Sequence, residues 1–279
     1  MAARDCWWGR CRFCSWTTLY PGKDYQARSP GNLLQEIDSL INKYAVKEIF
    51  DDSGCFPNGE WLEEFCRGVI QAGHHKKVTL GCNTRIGAIT EKQFHLMKKA
   101  NFRFLLIGLE SVNQKTLERL NKNIKVEQIM KFITGAKTAG LEPHLTVMTG
   151  YPWETRADTL ETLKFTKNMF KKGYIDSLQA TIVVPYPGTP LFEEARQKGW
   201  LKTENRDKYD MRESVWHCPI EDKEIKKLTQ GLYLAALNPY FILKKICSIR
   251  KIDDLKFLFR AGFKFLGHIL DFKTTKQTQ

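Results

Sequence analysis

Nothing in the 279 residues approaches the run of roughly 18 apolar side chains that a membrane span needs, and Met1-Ala2-Ala3-Arg4-Asp5 lacks the apolar core of a signal peptide. The chain therefore reads as cytoplasmic. Basic residues outnumber acidic ones by 44 to 31, giving a charge of +13, yet they come singly or as pairs such as Lys76-Lys77, Lys98-Lys99 and Lys171-Lys172. Without a basic block or arm, a dedicated nucleic-acid module is disfavoured. No internal repeat longer than a βα unit and no low-complexity segment is present. With 42% hydrophobic residues the chain can bury a full core, which excludes disorder for most of it. The length is too small for a barrel of about 250 residues plus another complete domain.

What is present is alternation. Ser29-Pro30 reads as an N-cap and first turn, followed by Leu33, Leu34, Ile37, Leu40, Ile41 and Tyr44 on one helical face. Short apolar strands are expected over 46–50, 78–82, 102–109, 144–148 and 178–184, with helices opening at Asn58, Thr90, Thr155 and Pro190 and another around Val126 to Ile133. Thr90 with Gln93 has the spacing of a capping box. Apolar strands between helices predict a parallel sheet buried on both faces. The first helix has no strand before it, because only five residues precede Cys6. The expected architecture is α/β: a partial (βα)6 barrel over 1–200 whose first strand is largely missing, a polar connecting segment over 201–224, and a basic, amphipathic helical extension over 225–279.

In a βα series the functional groups gather at the carboxyl ends of the strands. Three of the eight cysteines crowd into Cys6-Trp7-Trp8-Gly9-Arg10-Cys11-Arg12-Phe13-Cys14, at such a position. Three thiolates from one loop can hold three irons of a 4Fe-4S cube and leave the fourth open. A structural zinc site needs four ligands, and no His or fourth Cys follows nearby. Cys55, Cys66, Cys82, Cys218 and Cys247 are scattered and read as small buried hydrophobes.

The three cysteines with Phe13 before the last, heading a βα run, resemble the radical S-adenosylmethionine enzymes. Leu106-Ile107-Gly108-Leu109-Glu110-Ser111-Val112-Asn113, Gly150-Tyr151-Pro152-Trp153-Glu154-Thr155 and Pro185-Tyr186-Pro187-Gly188-Thr189-Pro190 resemble strand-end signatures of the branch that often carries an N-terminal cobalamin domain. The resemblance spans roughly residues 4 to 200. It implies an enzyme that reductively cleaves S-adenosylmethionine at a 4Fe-4S cluster on Cys6, Cys11 and Cys14, generating a 5′-deoxyadenosyl radical. It also implies that Phe13 lies against adenine, Asp51 or Asp52 accepts the cofactor's ammonium, and Glu110 meets the ribose. Arg85 and Lys122 become candidates for the cofactor's carboxylate, and Gly150 admits backbone close to the adenosine. Tyr151, Tyr186 and His144 are candidates to line the substrate cavity, with a core role for His144 as the plainer expectation. Two departures stand out: Cys6 and Cys11 enclose four residues where the family usually has three, and Asp5 replaces a frequent glycine.

The implied partners are a small-molecule or lipid substrate and an electron donor such as flavodoxin or ferredoxin. Cobalamin, if used, would come from a domain outside this chain or a separate protein, and the chain itself reads as a fragment or as one half of such a pair. The rival readings are a non-catalytic iron–sulfur or zinc-binding scaffold and a tRNA-modifying member of the same family. In the C-terminal extension Leu255, Leu258, Phe259, Gly262, Phe263, Leu266, Ile269 and Leu270 share a helical face flanked by Lys256, Arg260 and Lys264. That pattern suits either a helix covering the barrel or peripheral contact with an anionic membrane.

Overall fold

The computed structural model describes residues 1–19 and 25–247 together with Gly262 and Gly267. The amphipathic pattern over 255–270 lies outside the described residues apart from those two glycines. No helix among the described residues is long and apolar enough to cross a membrane.

Five parallel strands form a curled half-barrel in chain order: β3 (Glu48–Asp51), β4 (Thr79–Arg85), β5 (Phe102–Glu110), β6 (Glu142–Thr149) and β7 (Ser177–Ile182). Two short strands precede them, β1 (Ala3–Arg4) and β2 (Gln26–Ala27), which pair antiparallel with each other. The crossovers are α1 (Pro30–Tyr44) before β3, α2 (Gly59–Gln71), α3 (Glu91–Lys99), α4 (Gln114–Arg119) with α5 (Val126–Thr138), and α6 (Arg156–Lys172). After β7 come α7 (Pro190–Gln197), α8 (Asp222–Leu234) and α9 (Pro239–Cys247).

The helices start where side chains satisfy their free N–H groups. Ser29 accepts from the Asn32 N–H, and Thr90–Gln93 and Thr155–Asp158 form reciprocal capping boxes. Their apolar faces and the outward residues of the strands, such as Leu105, Ile107, Leu145 and Val147, make the main core with Phe65, Phe94, Ile129 and Ile133.

The inner face is different. Along β6, Pro143, Leu145, Val147 and Thr149 are buried while Glu142, His144, Thr146 and Met148 are only half-buried. A sheet buried on both faces is therefore not what forms: the half-barrel leaves its concave side partly open. For the same reason β4 runs on to Arg85, past the apolar stretch that ends at Cys82, since Asn83 and Arg85 belong to a face that need not be apolar.

Among the described residues β3 is an edge strand, paired only with β4. The N-terminal segment passes its carboxyl end, where the Ala2 N–H donates to Asp51, the Ala3 N–H donates to Ser53 Oγ at 2.9 Å, and Cys6 bridges Cys55 in parallel. Below that point, between α1 and β3, lies a groove of about 220 Å³ lined by Met1, Leu33, Ile37, Ile49 and Phe50 among others. The opposite edge is closed by a side chain: Tyr233 of α8 donates to the Ala180 carbonyl at 2.6 Å and accepts from the Ala180 N–H at 3.0 Å. One phenol thus satisfies backbone groups that another strand would have paired. The segment 201–224 places Trp216, wholly buried, with its indole donating to the Gly150 carbonyl at 2.8 Å.

Candidate functional site

The loop carrying Cys6, Cys11 and Cys14 crosses the carboxyl ends of the strands and is held by its own aromatics. Trp7 donates through its indole to the Phe56 carbonyl at 3.2 Å, and Trp8 to the Asn121 carbonyl at 2.9 Å. Arg85, from the end of β4, lies 4.2 Å over the Trp8 ring and 5.5 Å from that of Trp7, and bonds the Lys122 carbonyl. Farther along, the Arg12 N–H donates to the Leu120 carbonyl, and the Arg12 guanidinium reaches Glu194 at 3.0 Å. Arg119 and Lys198 bind the same carboxylate.

Both departures in the loop have a local cause. Gly9 sits at φ +54° in the four-residue interval between Cys6 and Cys11, where the left-handed backbone turns the chain. Asp5 adopts φ +70°, a conformation glycine takes freely, and its carboxylate accepts from the Cys6 N–H at 2.7 Å. A short polar side chain that bonds locally is the substitute for glycine that this geometry tolerates.

The three thiols are free and half-buried. Burial pushes Cys14 up to about 12 and raises Cys11, whereas a hydrogen bond from Cys55 lowers Cys6 to about 6. Cys11 lies within electrostatic reach of Lys122, Glu110, Cys6 and Arg85. Among the described residues no three His, Cys, Asp or Glu side chains already converge at metal-binding distances. Of the other cysteines, Cys55, Cys66 and Cys82 are buried as expected, whereas Cys218 is half-buried and Cys247, at the end of α9, is exposed among the described residues.

Beside the loop, Glu110 ends β5 at φ +68°, after a register shift between Gly108 and Glu110 that re-aims the strand end. Its carboxylate meets Lys122 Nζ at 3.1 Å and accepts from Thr146 Oγ1 at 3.3 Å. Both members of the ion pair are buried. Burial alone would depress the Lys122 amine, but Glu110 outweighs it and holds the amine above the ordinary lysine value. Gly108 is needed beneath them: a Cβ there would stand 2.8 Å from Glu110 Oε1 and 3.1 Å from Lys122 Nζ. Phe13 completes the group, with Lys122 Nζ 5.6 Å from its ring centre.

The remaining candidates divide. Asp51 is buried, with its oxygens engaged by the Ala2 N–H and by the N–H and hydroxyl of Ser53, so it anchors the N-terminal segment. Asp52 is exposed and accepts from Asn83 at 3.1 Å. Gly150 takes φ +82°, with Ile182 and Ile225 packed where a Cβ would go. Tyr151 is wholly buried next to it, whereas Tyr186 belongs to a separate cluster with Val184, Tyr209 and Val215. His144 lies on the inner face, with Nδ1 2.7 Å from Ser177 Oγ and its ring 5.2 Å from Phe104; burial lowers it to about 4. Sequence reasoning missed Glu154, a buried carboxylate bonded by Ser111 at 2.8 Å and raised by burial. It also missed the contact of Cys55 with Cys6, since two residues about fifty positions apart give no periodic signal.

Residues 3–166 match the Radical SAM superfamily. An uncharacterized methyltransferase of Pyrococcus horikoshii is 30% identical over 249 residues, covering 88% of this chain and 52% of its own. The anaerobic magnesium-protoporphyrin IX monomethyl ester cyclase of Cereibacter sphaeroides is 29% identical over 241 residues, covering 84% and 37% respectively. The chain thus spans about half the length of the first relative and less of the second. Among solved structures, the cobalamin-dependent S-adenosylmethionine radical enzyme OxsB, with aqua-cobalamin and S-adenosylmethionine bound, superposes with a TM-score of 0.65 at 14% identity, covering 93% of this chain and 44% of that one. At that identity the likeness is one of fold.

Proposed function

The chain belongs to the radical S-adenosylmethionine superfamily, and from that premise we propose that it cleaves S-adenosylmethionine reductively at a 4Fe-4S cluster held by Cys6, Cys11 and Cys14, in the service of methyl transfer or rearrangement. The observation that carries the reading is the buried Glu110–Lys122 pair set against Phe13 beside the cysteine loop. The donor set fits: three free thiols stand on one loop, and a cube held by three ligands keeps one iron open. The neighbourhood fits as well. Glu110 has acceptor capacity beyond Lys122, and the Tyr151 hydroxyl is buried with no hydrogen-bond partner among the described residues.

Bound there, the cluster and S-adenosylmethionine would supply one-electron chemistry that ends in a carbon radical. The chain's own residues bind, orient and shield. Glu110 would accept from ribose hydroxyls while Lys122 holds its carboxylate in place. Phe13 would cover the adenine. Arg85 acts through the loop, because its guanidinium is already stacked on Trp8 and bonded to the Lys122 carbonyl. Trp7 and Trp8 then fix the loop and limit water around the thiols.

The inner face bears on the substrate. Phe50, Phe104 and His144 form a ladder of rings, 5.7 Å and 5.2 Å between neighbours, on the open concave side. A flat or polycyclic molecule would find stacking surface there, and the cyclase relative takes magnesium-protoporphyrin IX monomethyl ester by name. Cobalamin, where the reaction uses it, would come from protein outside these residues, and the electron from a flavodoxin or ferredoxin.

Anaerobic reconstitution with iron and sulfide, followed by reductant and S-adenosylmethionine, tests the reading through chromatography of the products. Formation of 5′-deoxyadenosine or S-adenosylhomocysteine is expected. A fully loaded protein that releases neither product would leave the scaffold reading in its place.

A further inference from the structure

Tyr151 is wholly buried, and among the described residues its hydroxyl has no hydrogen-bond partner. The hydrogen bonds that the nearby acceptors receive come from other donors. The Gly150 carbonyl takes the Trp216 indole and the Cys218 thiol, Glu154 takes Ser111 and Thr159, and Glu110 takes Lys122 and Thr146. Burial pushes the phenol well up, with the charges of Glu110 and Glu154 adding to it, so the group keeps its proton. A buried donor without an acceptor lowers stability, and a phenylalanine would fill the same space without that cost.

Its position gives the hydroxyl a use. The ring stacks on Trp153 at 5.2 Å and belongs to a small cluster with Leu120, Val183, Leu191 and Trp216. Phe13 packs against that cluster from the cysteine loop, and Glu110 lies within electrostatic reach of the phenol. The residue assigned above to adenine therefore packs on the same cluster as the unpaired donor, and the one assigned to ribose acts on it electrostatically. We propose that the Tyr151 hydroxyl donates a hydrogen bond to an acceptor on the adenosine half of S-adenosylmethionine, an inference that rests on the cofactor reading above. Tyr151 is then a binding residue whose polar atom is kept unpaired in the free protein and satisfied in the complex.

The test uses Tyr151→Phe in the full, anaerobically reconstituted chain, with equilibrium dialysis against S-adenosylmethionine and, separately, 5′-methylthioadenosine. Both dissociation constants are expected to rise roughly tenfold, the scale of one hydrogen bond in a buried site. The thermal midpoint of the ligand-free variant is expected to equal or exceed that of the parent. Unchanged affinities would overturn the contact. Weakening confined to S-adenosylmethionine would overturn its assignment to the adenosine half, and a lowered midpoint would show that the hydroxyl serves the fold instead. A parent protein that binds neither nucleoside overturns the cofactor reading itself, whereas failure of the contact alone leaves parent binding intact.

Discussion

Lys122 and Glu110 face each other across 3.1 Å in a pair buried on both sides, 5% and 6% exposed, at the point where the cysteine loop meets the end of β5. Two buried charges that are held by each other leave little freedom for either to be lost singly.

The first prediction follows from that pairing. Lys122→Met leaves Glu110 charged without its partner and is expected to cost about 3–5 kcal/mol of folding stability. Adding Glu110→Leu to it should recover most of the loss, because two apolar side chains replace two desolvated charges. Urea denaturation of the two variants and the parent measures both effects. A single variant within about 0.5 kcal/mol of the parent would contradict the pairing.

Cys55 touches Cys6 but lies outside the loop, so its role can be separated from that of a ligand. Cys55→Ala is expected to retain the iron content of the parent after reconstitution, while Cys14→Ala loses it. Iron and sulfide assays on the two variants decide the matter. Equal loss in both would make Cys55 part of the ligand set.

His144 gives a pH dependence with a definite sign. Burial holds it at about 4, below its ordinary value of about 6.5, so the unfolded chain takes up a proton that the folded one resists. The stability tied to the neutral ring is complete above about pH 6.5 and falls away as the pH drops towards about 4, by up to roughly 3 kcal/mol. His144→Gln removes this titration, so the parent's advantage over the variant should shrink between about pH 7 and pH 4.5. A constant difference over that window would contradict the lowered titration of the ring.

Most of the scaffold was legible in the sequence because its signals are local. Ser29, Thr90 and Thr155 cap helices through contacts within three residues, and the apolar strands between them could take few other roles. The end of β4 was not legible, because Asn83 and Arg85 look like loop residues until the open inner face is known. The site was legible as a set of positions. Its internal pairing was not: that Glu110 meets Lys122, that Arg85 stacks on Trp8, and that Asp51 is engaged by Ala2 and Ser53 are all set by tertiary approach. Asp5 illustrates the remainder. Its substitution for glycine is a departure in sequence and a φ of +70° in space.

The central claim is that a cluster on Cys6, Cys11 and Cys14 keeps one iron open to S-adenosylmethionine, with Glu110 assisting. Electron paramagnetic resonance of the reconstituted, dithionite-reduced protein measures this at the iron. The account predicts that S-adenosylmethionine changes the g-values of the reduced cluster, and that Glu110→Gln, with the same iron content, needs a roughly tenfold or greater concentration to produce the change. A fully loaded parent whose spectrum is the same with and without saturating S-adenosylmethionine would contradict it.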